Sequence, residues 1–190
     1  MSKSKVAVVD CDCSVVFSQR KWFQWLEDMT KAGFDYDYVS QWYDFSIPYG
    51  PIWASKGIGG EPLDFWRGQH IYDDMTPMEN AVECLETLKK KGYEIVFVSS
   101  TKGFHLKSKY YFLDHYFPFK DGFIATKEKG YVKADLVIDD RHSCLNQFSD
   151  KECIKIQFNT PHDQDQQLKV SLDLKSGCWY EIENWIIDNL

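Results

Sequence analysis

Short, continuously apolar segments recur along this chain, and they constrain its fold more than any other feature. Several are rich in β-branched residues and do not alternate with polar ones, which is typical of parallel strands covered on both faces of a sheet. The five predicted strands are Lys5–Val9, Glu94–Val98, Gly122–Ala125, Ala134–Ile138 and Cys153–Phe158.

Segments with helical patterns separate the predicted strands. The segment Thr76–Glu79 (TPME) has the capping-box spacing, with proline at the first helical position, and it predicts a helix that ends at Gly92. Residues 105–116 and Trp179–Leu190 are two further predicted helices. Strands and helices that alternate in this way predict a doubly wound parallel α/β sheet.

Residues 14–75 interrupt this alternation directly after the first strand. They hold 15 of the 31 aromatic residues, which predicts a small insertion with its own apolar cluster. Within the insertion, the Gly- and Pro-rich stretch 48–62 predicts an irregular loop. Further along the chain, the polar stretch 161–177 predicts an exposed connection. The predicted organisation is therefore an α/β core of residues 1–13 and 76–190 with an aromatic-rich insertion of residues 14–75.

The charge balance limits the expected partners. With a formal net charge of −7, neither a long nucleic acid nor an anionic membrane is expected, because both require clustered Lys and Arg. No segment reaches the roughly 20 apolar residues that span a bilayer, and the N-terminal MSKSK leads into a strand without a signal-peptide-like run. The six scattered cysteines predict reduced thiols, and these features together predict a cytoplasmic protein.

Polar side chains of complementary kinds follow or precede the predicted strands, and ligands bind at strand ends in open α/β sheets. If the strands are neighbours, four carboxylates meet at one point. Such a group is tolerable around a hard divalent cation, for which we expect Mg²⁺. The candidate site residues are Asp10, Asp12, Ser99, Ser100, Lys129, Asp139, Asp140 and Arg141.

Each of these residues also has an ordinary structural explanation. Asp10 and Asp12 could form a solvated turn, whereas Ser99–Thr101 and Asp139–Asp140 could each cap a following helix. A single lysine is usually a solvated surface group. The five histidines show no ligand spacing, which predicts surface or packing roles for them.

In their order along the chain, these motifs resemble those of the haloacid dehalogenase superfamily of phosphohydrolases. The matching motifs are Asp10-x-Asp12-x-Ser14-Val15, Ser99, Lys129 and Asp139–Asp140. The block 65–141 further resembles the 5′(3′)-deoxyribonucleotidase group. Cys13 stands where the family often has Gly, and the serine-rich segment after the second strand lacks the proline common in the nucleotidase group. The resemblance implies a Rossmann-like core with a small, mainly helical cap formed by the insertion.

The resemblance also implies roles for the four carboxylates. Asp10 would attack the substrate phosphorus and form an aspartyl-phosphate. Asp12 would act as general acid and then as general base, while its backbone carbonyl helps to hold Mg²⁺. Asp139 and Asp140 would complete the metal shell, with Asp140 as the direct ligand.

The remaining candidates would bind the substrate. By the same resemblance, Ser99, Ser100 and Lys129 would bind phosphoryl oxygens and stabilise the charge that spreads over them. Arg141 would add a cation near the phosphate or the sugar. One or two aromatic rings of the cap would stack on a nucleobase.

The resemblance implies a Mg²⁺-dependent phosphomonoesterase that acts on (deoxy)nucleoside monophosphates. Two alternatives stay open: a phosphatase of another small phosphoester or of a nucleic-acid 3′-phosphate, and a receiver-like phospho-Asp signalling domain. In receivers, however, the paired acidic residues come on the first strand and the phosphorylated Asp comes later. A homodimer is compatible with the sequence, which does not fix the oligomeric state.

Overall fold

The computed structural model describes residues 4–149 and 152–190, so residues 1–3 of the predicted core segment lie outside it. The strands are β1 (Lys5–Val9), β2 (Tyr93–Ser99), β3 (Gly122–Ala125), β4 (Leu136–Asp139), β5 (Ile154–Phe158) and β6 (Leu174–Ser176). Within the described ranges they form one six-stranded, fully parallel sheet in the order β3-β2-β1-β4-β5-β6. The predicted doubly wound α/β fold is confirmed.

Helices and apolar side chains cover both faces of this sheet. The helices are α1 (Ser18–Thr30), α2 (Tyr36–Val39), α3 (Ser46–Ser55), α4 (Ala81–Lys90), α5 (Leu106–Tyr116), α6 (His142–Leu145) and α7 (Trp179–Asn189). On one face Ala7 and Val9 pack with residues of α4, α5 and α7, and on the other Val8 packs with Val137 and Leu145. This two-sided burial explains why the strands are continuously apolar.

β1 lies in the middle of the sheet and determines where the site forms. It pairs with β2 on one side and with β4 on the other, so that Val8 lies opposite both Val96 and Val137. Because all three strands run in the same direction, their carboxyl ends meet at one edge. The residues that follow β1, β2 and β4 are therefore neighbours in space.

The predicted start of the helix after residue 75 is wrong. Thr76–Glu79 does not open the helix, because Pro77 pairs with Val16 and the Met78 N–H donates to the Val15 carbonyl at 2.8 Å. These contacts tie the segment to the chain that leaves β1. Helix α4 begins at Ala81 instead, after Asn80 in a left-handed conformation with φ of 63°.

The insertion contains helices α1, α2 and α3 and the 3-10 helix Pro62–Arg67. The predicted irregular loop 48–62 is wrong in its first half, which belongs to α3. Pro48 lies in the first turn, where backbone N–H groups have no intrahelical partner, so proline is tolerated there. The buried side chains of the insertion also join those of the core in one continuous apolar cluster rather than a separate one.

The connection between β5 and β6 is more ordered than its polar sequence predicts. Residues Leu174–Ser176 form the edge strand β6, with Ser176 opposite Phe158 of β5. The prediction of an exposed connection over the whole of 161–177 is therefore wrong for this part. In the part of the chain that the structure describes, none of the helices combines the length and the apolar character of a membrane span.

Candidate active site

A tight turn after β1 sets the positions of the first two carboxylates. The Cys11 carbonyl accepts hydrogen bonds from the N–H groups of Val15 at 3.0 Å and Val16 at 3.2 Å. Cys13 has a φ of 58°, a left-handed conformation that costs a residue with a Cβ about 1 kcal/mol and that glycine adopts freely. The turn keeps Asp10 and Asp12 at the sheet edge before the chain enters the insertion.

On the β4 side of β1, a buried lysine joins two carboxylates. Lys129 lies in a 3-10 helix that precedes β4, and its Nζ is 2.6 Å from Asp10 Oδ1 and 2.5 Å from Asp139 Oδ2. Burial would lower the pKa of Lys129, but Asp10 and Asp139 raise it well above its ordinary value. The lysine therefore stays protonated and bridges the two carboxylates.

Three carboxylates form a candidate cation site around this lysine. Within the described residues, Asp10, Asp139 and Asp140 each offer an oxygen, and these oxygens lie within 4.8 Å of one another. Burial, followed by the charge of Asp10, raises the pKa of Asp140 well above its ordinary value, and burial raises that of Asp139 to about 7 despite Lys129. The Oδ1 atom of Asp140 is buried and has no hydrogen-bond partner among the residues that the structure describes. A hard divalent cation fits this set of oxygen ligands.

On the β2 side of β1, Asp12 is held by two donors from other parts of the chain. Lys109 Nζ lies 2.5 Å from Asp12 Oδ2, and the Tyr72 hydroxyl donates to Asp12 Oδ1 at 2.6 Å. Burial would raise the pKa of Asp12, but the charge and hydrogen bonds of Lys109 and Tyr72 lower it below its ordinary value. Asp12 is therefore ionised at neutral pH.

Lys109 is a site residue that the sequence analysis did not find. It lies on α5, is fully buried, and also donates to Ser99 Oγ at 3.0 Å and to the Ser100 carbonyl at 3.3 Å. One signal in the sequence could have revealed it. Lys109 stands three and four residues before Phe112 and Leu113, so it occupies the apolar face of its helix, where a lysine needs a specific partner.

The other predicted binding residues lie at the same edge, but their environments differ. Ser99 is buried next to Asp12, whereas Ser100 is exposed. The Arg141 guanidinium forms an ion pair with Asp165, donates to the Tyr43 hydroxyl at 3.0 Å, and lies 4.3 Å from the centre of the Tyr43 ring. Arg141 therefore joins the core to the insertion as well as facing the cavity.

A cavity of about 550 Å³ opens over these residues, which is large enough for a mononucleotide-sized ligand. All the predicted site residues except Asp139 line it, and Asp139 lies buried behind Lys129. The insertion contributes Trp22, Tyr43 and Trp66 to the wall. Tyr43 is 42% exposed and Trp66 is half-buried, so both rings have surface available for a ligand.

Solved structures with a similar fold define the fold class. A HAD-superfamily hydrolase from Ehrlichia chaffeensis is 18% identical over 99% of this chain and 98% of its own, with a TM-score of 0.56. YfnB of Bacillus subtilis, assigned as a HAD-hydrolase and solved bound to magnesium, is 11% identical over the whole of both chains, with a TM-score of 0.66. At these identities the likeness establishes the fold, which is that of the haloacid dehalogenase superfamily.

Sequence comparison defines the family more closely. The family described as "5' nucleotidase, deoxy (Pyrimidine), cytosolic type C protein" matches residues 63–189, more than half of the chain, and the chain belongs to this family. The mitochondrial 5'(3')-deoxyribonucleotidase of Homo sapiens is 25% identical over 65% of this chain and 56% of its own length. The 5'(3')-deoxyribonucleotidase of Bacillus subtilis is 30% identical over 62% of this chain and 66% of its own. The match thus spans less than two thirds of each relative.

Proposed function

We propose that this protein is a Mg²⁺-dependent phosphomonoesterase that hydrolyses (deoxy)nucleoside monophosphates to nucleoside and phosphate. The observation that carries the proposal is the division of the site by β1. A cluster of three carboxylates with Lys129 lies on one side of the strand, and Asp12 with Lys109 lies on the other. Membership of a family described as 5' nucleotidases supports the same activity.

In the first step, a carboxylate oxygen of Asp10 attacks the substrate phosphorus. A bond from Asp10 to phosphorus forms, the bond from phosphorus to the ester oxygen breaks, and the nucleoside oxygen receives a proton from Asp12. Asp12 is ionised in the resting site, so the substrate must bring this proton. A phosphomonoester can do so because it titrates near pH 6 and is partly a monoanion at neutral pH. Lys129 and Ser99 stabilise the phosphoryl oxygens.

In the second step, Asp12 acts in the opposite direction. It takes a proton from a water molecule, whose oxygen attacks phosphorus while the bond from phosphorus to Asp10 breaks. Free phosphate leaves, Asp10 is restored, and Asp12 releases the proton from water to the solvent, which returns it to its ionised resting state. The low pKa of Asp12 suits it to regain its charge after the first step, and we propose that Lys109 and Tyr72 fix its position for both proton transfers.

We propose that Asp10, Asp140 and the backbone carbonyl of Asp12 hold the Mg²⁺ ion. Asp139, which Lys129 binds directly, supports the cluster without needing to contact the ion. When bound, Mg²⁺ supplies positive charge that polarises the transferring phosphoryl group. Asp140 Oδ1 supports this assignment because it is buried and has no hydrogen-bond partner among the described residues. Burying a carboxylate oxygen in this way is unfavourable unless a cation binds it.

The substrate class is proposed from the insertion. We propose that residues 14–75 form a cap over the sheet edge, and that Tyr43 and Trp66 provide the flat surfaces on which a nucleobase stacks. Such stacking contributes about 1–3 kcal/mol per base. Relatives named as 5'(3')-deoxyribonucleotidases support a nucleotide substrate, with deoxyribose forms preferred.

A panel of phosphoesters tests this function. We would measure phosphate release, with and without Mg²⁺, from dTMP, dUMP and dGMP, their ribose counterparts, glucose 6-phosphate and a 3′-phosphorylated oligonucleotide. The proposal expects the highest kcat/KM with a deoxynucleoside monophosphate. A preference for the sugar phosphate or the oligonucleotide would contradict the nucleotide assignment, and no Mg²⁺-dependent release from any of them would contradict the activity.

A further inference from the structure

His162 is a buried histidine beside the proposed metal site. It lies in the connection between β5 and β6, and its side chain is 1% exposed. Its Nε2 is 3.2 Å from Asp140 Oδ2 and 3.0 Å from the Thr160 hydroxyl oxygen. No pattern in the sequence predicts this contact, because His162 has no ligand spacing with any other histidine.

We propose that His162 is a positioning residue that orients Asp140 for cation binding. His162 Nε2 lies 3.2 Å from Asp140 Oδ2, whereas Asp140 Oδ1 is buried without a hydrogen-bond partner among the described residues. A carboxylate with one oxygen tied to a neighbour presents the other oxygen in a fixed direction. The inference rests on the metal site of the proposed function and adds a residue to it.

The surrounding chain holds the imidazole in place from two directions. On the insertion side, the Tyr43 ring packs edge-on against His162 with 5.2 Å between ring centres, and the Asp163 N–H donates to the Gln41 carbonyl at 2.9 Å. Tyr43 also lines the cavity. The ring contact limits the rotation of the imidazole, and the backbone bond holds the connection against the insertion.

On the core side, Gln164 ties the same connection to the end of β4. Its side-chain Nε2 donates to the Asp140 carbonyl at 3.1 Å, and its Oε1 accepts from the His142 N–H at 3.0 Å. Both the backbone and the side chain of Asp140 are thus bound by residues of one short segment. Such a double attachment is what a metal-binding carboxylate needs to keep its geometry when no ion is present.

The physical consequence concerns cation affinity rather than the reaction steps. Residues that orient a metal ligand usually change metal affinity by about 10- to 100-fold when they are replaced. We therefore expect His162→Leu, which keeps the bulk but removes the polar contact, to weaken Mg²⁺ binding by about 10-fold or more. The amide nitrogen of Gln takes the place of Nε2, so His162→Gln should retain most of the affinity.

The test measures Mg²⁺ binding to the full chain by titration calorimetry and by the Mg²⁺-dependent rise in Tm. The variants are His162→Leu, His162→Gln and His162→Asn, with His115→Leu as the control because His115 is an exposed histidine on α5. Asn carries the same amide group as Gln but is too short to reach Asp140. The expected order of affinity is wild type and His115→Leu, then Gln, then Asn and Leu.

The outcomes separate this inference from the proposed function. If the wild-type chain binds Mg²⁺ and all three His162 variants bind it equally well, the positioning role is wrong and the metal site stands. If the wild-type chain does not bind Mg²⁺, the metal assignment itself is wrong. Should His162→Leu fail to fold, the comparison of Gln with Asn decides the question, since equal affinities would overturn the role.

Discussion

The two sides of β1 contain similar residues in different proportions. On the β4 side, Asp10, Asp139 and Asp140 surround Lys129, so three buried carboxylates face one ammonium group. On the β2 side, Asp12 is paired with Lys109 and also receives a hydrogen bond from a tyrosine. The first group leaves two negative charges without a partner when it is fully ionised, whereas the second is balanced.

This difference separates the roles of two carboxylates that are one residue apart. The unbalanced side has the charge that a divalent cation would neutralise, and burial raises the pKa of Asp139 and Asp140 there. The balanced side lowers the pKa of Asp12 and needs no metal to stay ionised. This difference supports the proposal that phosphoryl transfer and cation binding take place on one side and proton transfer on the other.

The largest expected effect comes from replacement of Asp10, the proposed nucleophile. Asp10→Asn keeps the shape of the side chain but removes the attacking oxyanion, so kcat should fall by about 10⁴-fold or more. The measurement is steady-state phosphate release from dTMP, with Asp188→Asn, an exposed carboxylate of α7, as the control. Activity of Asp10→Asn within a few-fold of wild type would contradict the proposal that phosphoryl transfer takes place on the β4 side.

Removal of the cation should be almost as damaging. Because carboxylates outnumber ammonium groups on the β4 side, chelation should abolish activity, and added Mg²⁺ should restore it and raise Tm. The Tm should increase with Mg²⁺ concentration, as expected for a ligand that binds the folded state. Full activity in the presence of excess chelator would contradict the proposal that the excess negative charge on the β4 side binds a cation.

A smaller effect is expected from Lys109, which acts through Asp12. Lys109→Met should lower kcat for a nucleoside monophosphate by about 10²-fold, because a catalytic group displaced by about 1 Å loses that much. The loss should be smaller with p-nitrophenyl phosphate, whose leaving group needs no acid, and KM should change little. Lys107→Met, an exposed lysine of the same helix, is the control. Equal losses with both substrates would indicate a purely structural role.

The sequence predicts one side of this comparison better than the other. Asp10, Lys129, Asp139 and Asp140 lie at strand ends or just before a strand, where a regular α/β sheet makes position in the chain a guide to position in space. Two of the five predicted strands, Lys5–Val9 and Gly122–Ala125, coincide with β1 and β3, and the other three begin and end within two residues of β2, β4 and β5. The pattern of the strands and the polar residues near their ends were therefore sufficient to predict these four residues of the β4 side.

The other side depends on contacts that have no regular spacing. Lys109 reaches Asp12 from a helix, and Tyr72 reaches it from the end of the insertion. On the β4 side, His162 likewise reaches Asp140 from a polar connection with no regular spacing. These pairs are brought together by tertiary packing, which local patterns do not encode. The start of α4 was misplaced for a similar reason, because Met78 bonds to Val15, a residue far away in the chain.

The most direct test of the division between the two sides is a rapid-mixing experiment on Asp12→Asn with p-nitrophenyl phosphate. This leaving group needs no acid, so Asp10 should still accept the phosphoryl group, but the second step should stall without its base. The account predicts a burst of about one p-nitrophenolate per active site, slow turnover afterwards, and a phosphoryl group on the peptide that contains Asp10. A phosphoryl group on another residue, or wild-type turnover without a burst, would contradict it.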